Sequence, residues 1–207
     1  MRKTVKQRKI RAKWLRLTEK TNALDYLEKA YDFIRQTETS VLAWKWVILA
    51  LHSALYGFAI CACQGTTPDF VAPKIKKGKN KGKRQLINFN KALVLCQNPN
   101  WMHMTVDSKH LQLSHSQEQS ICYLHEEFRN NFEHFSPKSW SIELHGMPQI
   151  AIDVLEVTRF LALDTGNYIH LTQTQMKRIK SIVFRSKRIL KRSQLYKEAE
   201  KIKSKQI

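Results

Sequence analysis

Acidic residues are scarce in this chain: 17 Asp and Glu stand against 36 Lys and Arg, a net charge of +19 over 207 residues. That shortage argues against a cationic ligand and for a polyanionic partner, either nucleic acid or an acidic membrane surface. Glycine and proline are also few, six and five, which excludes a collagen-like or proline-rich spacer. The four cysteines, Cys61, Cys63, Cys96 and Cys122, form no C-x-x-C pair and fall within apolar helical patterns. Buried thiols in a reducing, cytoplasmic compartment fit that placement. No apolar stretch follows the basic N-terminus, so no secretory leader is expected. Phosphate-binding loops and G-x-S-x-G elbows are missing, and Gly78 and Gly82 stand too close together for G-x-x-x-x-G-K-[ST]. His103, His110 and His115 lie within 13 residues, but no cysteine or carboxylate spacing completes a metal site. Neither a metal nor a cofactor is expected.

What is present supports a folded body. Hydrophobic residues at 43% and aromatics at 10% are enough to bury a core, and the length suits one domain with tails or at most two small ones. The positive charge is unevenly placed. Residues 1–20 carry +8, Lys74–Arg84 carries +7 and Met176–Ile207 carries +10, so the remaining 144 residues net −6. The pattern describes a mildly acidic body with three basic attachments, either polyanion-holding segments or plain solvated tails. On the first reading, Lys74, Lys76, Lys77, Lys79, Lys81, Lys83 and Arg84 form a mobile basic loop that clamps an RNA backbone. Removing Met176–Ile207 is then expected to weaken binding and leave a folded body.

Periodicity points to helices throughout. Leu24, Leu27, Ala30, Tyr31 and Ile34 mark a helix over 22–36 with Asn22 as N-cap. A second is expected over 40–64. Its nearly all-apolar stretch from Trp46 to Cys63 fits the buried centre of a bundle better than a membrane span, since Lys45 and His52 interrupt it. His52 is expected to be a hydrogen-bonded core histidine. Residues 86–97 resume a short helix, and 101–113 are ambiguous. Ser114-His115-Ser116-Gln117 has the form of a capping box and opens a helix reaching Ser136-Pro137. Residues 138–146 alternate as a short extended excursion. Helices follow over 147–164 and, as one long basic helix, 172–205. With no alternating strand–helix pattern, the class is all-α, a bundle. Its layout is a basic segment 1–20, a helical body 21–170 with a basic insertion at 65–85, and a basic C-terminal helix 171–207.

The stretch with chemistry in it is Leu124-His125-Glu126-Glu127-Phe128-Arg129-Asn130-Asn131-Phe132-Glu133-His134-Phe135. Ile121, Leu124, Phe128, Phe132 and Phe135 form its apolar stripe. Asn130 and His134, four apart, share a face; Arg129 borders it from about 140° away. A guanidinium beside an imidazole suits a phosphodiester, because Arg grips phosphate oxygens and His exchanges protons near neutral pH. The plain alternative is an Arg129–Glu133 surface pair, with Asn130 and His134 capping the helix before Pro137.

Arg129-Asn130-Asn131-Phe132-Glu133-His134 resembles the R-N-x-x-x-H form of the R-x(4–6)-H signature of the HEPN superfamily. The stretch RNNFEHFSPKSWSIE from Arg129, together with the apolar helix from Trp46, is similar to a bacterial and plasmid-borne branch of it. The resemblance covers roughly 40–165 and leaves the N-terminus and C-terminal helix unexplained. It implies a helical bundle that forms a homodimer, with two motifs meeting in a cleft. It also implies a metal-independent endoribonuclease in which the ribose 2′-OH attacks the adjacent phosphate. On that implication Arg129 holds the phosphate, His134 acts as general base or acid, and Asn130 orients one of them. RNA is the implied partner, and the company this superfamily keeps adds a toxin or defence role and a neutralising partner protein. The alternative is a non-catalytic nucleic-acid-binding or regulatory module with the same fold. A membrane-surface protein anchored by 41–63 trails both.

Overall fold

The computed structural model describes residues 13–65, 67–133, 139–166 and 171–205. The protein is all-α, about two thirds helical, with no strand among the described residues beyond an isolated antiparallel bridge between Lys74 and Arg84. Its helices are α1 (Glu19–Gln36), α2 (Ala43–Cys63), α3 (Phe89–Gln97), α4 (Pro99–Met102), α5 (His115–Cys122), α6 (Asn130–Glu133), α7 (Met147–Leu163), α8 (Gln173–Arg192) and α9 (Gln194–Lys203). A π-helical segment, Tyr123–Arg129, joins α5 to α6.

α2 is the centre. It is long and apolar enough to cross a bilayer, with a mean hydropathy of 1.8, yet 67% of that window is buried inside the bundle. Ile48, Leu51, Leu55 and Phe58 are wholly covered, each such burial contributing about 1.5–3 kcal/mol. α1, α3 and α7 pack around it. α1 comes close at Gly57, where a Cβ would stand 2.7 Å from the Ala23 Cβ. α1 begins at Glu19 and not near Asn22, because Thr18 caps it: its hydroxyl accepts from the Thr21 N–H while the Thr21 hydroxyl returns to the Thr18 backbone. The Ser114 capping box forms as its sequence indicates.

α7 is bolted to α5 through a buried carboxylate. Asp153 accepts from the hydroxyls of Ser116 and Ser120, both at 2.7 Å, and from the Gln149 amide at 2.7 Å. Three donors offset the cost of taking that charge out of water.

Three sequence expectations need correction. The C-terminal basic helix is neither continuous nor an attachment. It breaks at Ser193, whose extended backbone lets its hydroxyl accept from Tyr196 N–H and start α9. α8 puts Ile179, Ile182, Val183, Ser186 and Leu190 into the core against α1 and α7, so its cations are only the outer face of an amphipathic element. The basic insertion is not a loose loop: Ile75 donates to the Lys83 carbonyl at 2.9 Å and Gly82 to that of Ile75 at 2.9 Å. Gly78 and Gly82 make that hairpin turn possible by adopting φ of 87° and 85°. Finally, only some thiols are buried. Cys63 and Cys96 are inside and burial pushes the Cys61 thiol up to about 12, but Cys122 is exposed, one residue past the inward-facing Ile121.

Candidate active site

The site is built where the chain leaves regular α-geometry. After α5, the π-helical segment spreads its turns over i→i+5 spacing, a rare local form that is frequent at functional positions. It keeps Leu124 fully buried against the core and delivers the next residue, His125, to α2. There the His52 Nε2 and the His125 Nδ1 are 2.9 Å apart, one ring donating and the other accepting. The two rings lie within 7° of parallel. The Phe89 ring covers both, with centroids 4.6 Å from His52 and 4.5 Å from His125. The expectation of a buried, hydrogen-bonded His52 matches this contact.

The pair is held neutral. Burial, then the nearby His125 and the Arg129 guanidinium, lower His52 to about 3. Burial and then Arg129 also pull His125 below its ordinary value. Both rings are therefore uncharged at neutral pH beside a fixed cation.

Of the sequence-derived motif, Arg129 and Asn130 come together. The Arg129 Nη1 donates to the Asn130 Oδ1 at 3.0 Å, and Nη2 meets the Glu133 carboxylate at 2.5 Å. The Nε of Arg129 is buried and has no partner among the described residues. His134 lies outside the described residues, so its place beside Arg129 is not defined. The Arg129–Glu133 pair expected as the plain alternative is present, with the two side chains 30% and 43% exposed.

The basic hairpin precedes Phe89 in the chain. Lys74, Lys76, Lys77, Lys79, Lys81 and Lys83 are all exposed. Arg84 differs: it is committed to the Asp69 carboxylate and to the Ala72 carbonyl at 3.2 Å, which makes it an anchor for the hairpin base. Five residues on, α3 opens with Phe89, the ring over the histidine pair.

Sequence reading missed His52 and His125 as a unit because they are 73 positions apart. The available signal was His125 standing four before Arg129, on one helical face with it. Among the described residues, no three His, Cys, Asp or Glu side chains gather as a metal site. Compared with protein-family models, curated proteins and solved structures, the chain matches none.

Proposed function

We propose that this chain is a HEPN-type endoribonuclease working as a homodimer in the cytoplasm, its reaction the attack of a ribose 2′-OH on the adjacent phosphate without metal or cofactor. The observation that carries the reading is the convergence of Arg129 and Asn130 at the end of the π-helical segment, within the R-N-x-x-x-H wording. The all-α bundle and the exposed lysines of the hairpin accord with it. In this reading Arg129 stabilises the charge developing on the phosphate, Asn130 orients the guanidinium or the phosphate, and His134 moves the proton. To take a phosphate, Arg129 must release Glu133. A partly exposed pair of this kind is worth only about 0–1 kcal/mol, so the exchange is cheap. In a homodimer of this kind the partner's His134 serves the Arg129 of the facing protomer. A neutralising partner protein belongs to the same proposal.

One observation favours a second reading, a non-catalytic RNA-binding module: Arg129 already has two partners within its own helix. The deciding experiment is cleavage of RNA in EDTA by wild type, Arg129→Ala and His134→Ala, each checked for helicity. The nuclease reading expects 2′,3′-cyclic phosphate ends from wild type and a loss of at least about a hundredfold in both variants. RNA binding without cleavage in any of the three favours the module.

A further inference from the structure

A groove of about 710 Å³ runs between α7 and α8 and shares no residue with the Arg129 cluster. Its floor is apolar, formed by the buried Leu111, Val157 and Val183. Two phenylalanines rise from it: Phe160, half-buried on α7, and Phe184, 67% exposed on α8. The Phe184 ring stands open to solvent and continues the apolar lining of the groove beneath it.

The charge around the groove is one-sided. On the α7 rim, Arg159 is paired with Asp164 at 2.7 Å, and Glu156 is taken by Lys187. On the α8 rim, Lys180, Arg188 and Lys191 have no ion pair among the described residues. Lys180 and Arg188 stand four before and four after Phe184, so cation, ring and cation form one stripe. From Lys180 to Lys191 the stripe is about 16 Å long at the α-helical rise. An acidic amphipathic helix seated in the groove carries charge along both flanks and needs free cations on both rims. A single strand of nucleic acid has its backbone on one side and its bases on the other. Free cations on one rim, with Phe184 set among them and Phe160 across the groove, suit a strand whose phosphates follow that rim and whose bases turn inward onto the rings.

We propose that the α7–α8 groove is a binding site for single-stranded RNA, with bases stacked on Phe184 and Phe160 and the backbone lying on Lys180, Arg188 and Lys191. The inference rests on RNA as the partner in the function proposed above, though not on its cleavage. It makes the cations of α8 a substrate-holding site apart from the chemistry.

The test is binding of labelled oligouridine to the full chain, followed by anisotropy across a salt series. The proteins are wild type, Phe184→Ala, and the triple variant Lys180→Gln, Arg188→Gln, Lys191→Gln. All four side chains are solvent-facing, and circular dichroism confirms the fold of each variant. Phe184→Ala is expected to weaken binding roughly tenfold with an unchanged salt slope, because it removes stacking and no charge. The triple variant is expected to flatten the slope by about two. A duplex RNA should respond to the triple variant and not to Phe184→Ala. Equal losses for single strand and duplex in Phe184→Ala overturn the proposal, as does oligouridine binding unaffected by that change. Displacement of oligouridine by oligoglutamate at matched charge also overturns it, in favour of an acidic protein partner. Phe184-dependent binding by a chain that cuts no RNA leaves this site standing and removes the nuclease reading alone.

Discussion

Protonating His52 places a cation in the core beside the Arg129 guanidinium, and the fold resists it. The folded value of about 3 lies below the ordinary 6.5, so the unfolded chain takes up protons first as pH falls. The stability linked to His52 is therefore complete above 6.5 and is lost on acidification toward 3. His125 acts with the same sign. His145 acts with the opposite one. Hydrogen bonds to Glu143 and then Glu198 raise its value, so its contribution is present below 6.5 and fades as pH rises through the folded value. Urea midpoints at about pH 7.5 and about pH 5.5 read both effects. Relative to wild type, His52→Gln should lose less on acidification and His145→Gln should lose more; parallel losses in all three proteins refute the assignment. At this scale the Arg129–Glu133 pair was legible as a spacing of four. The histidine pair was not, because it exists only once α2 and the π-helical segment meet.

Helix boundaries and crossings follow from a few local contacts. Gly57 lets α2 lie on α1, and the neighbour a Cβ would strike is Ala23, fixed to its own helix and unable to swing away. Gly57→Ala gains about 1 kcal/mol in helix propensity and forces an overlap costing about 1–3 kcal/mol. A lower urea midpoint is expected, and adding Ala23→Gly should restore part of it. A midpoint raised by Gly57→Ala shows that the helices can part without penalty. Most elements could be read in advance because their signals are local: the apolar run of α2, the Ser114 capping box, the Ile150–Leu161 stripe of α7. The exceptions have physical causes. Thr18 and Thr21 cap α1 through paired hydroxyls where a Glu or Gln is the usual mark. Ser193 sits among helix-favouring residues and breaks the helix by bonding the next turn's N–H. The π-helical segment is invisible to a period of 3.6, and the contact it makes with α2 through His125 appears only in the folded chain.

For the molecule as a whole, the C-terminal segment is no attachment, because α8 closes the core; most of the basic N-terminal segment, residues 1–12, lies outside the described residues. Ending the chain after Gln175 uncovers the partners of Ile179, Val183 and Leu190 on α1 and α7, and no cooperative thermal transition is expected by circular dichroism. Ending it after Ser193 removes only α9, which buries no residue fully. That chain should melt cooperatively at a somewhat lower temperature, without the His145–Glu198 contact. A cooperative transition in the shorter chain returns α8 to the status of a tail. One stripe of α8 is thus structural and the opposite stripe cationic, which constrains how the protein can change over generations. Descendants can shed the positive charge of this helix one codon at a time. An early stop or frameshift within it gives no gentler variant, because the chain that loses the charge loses the fold as well.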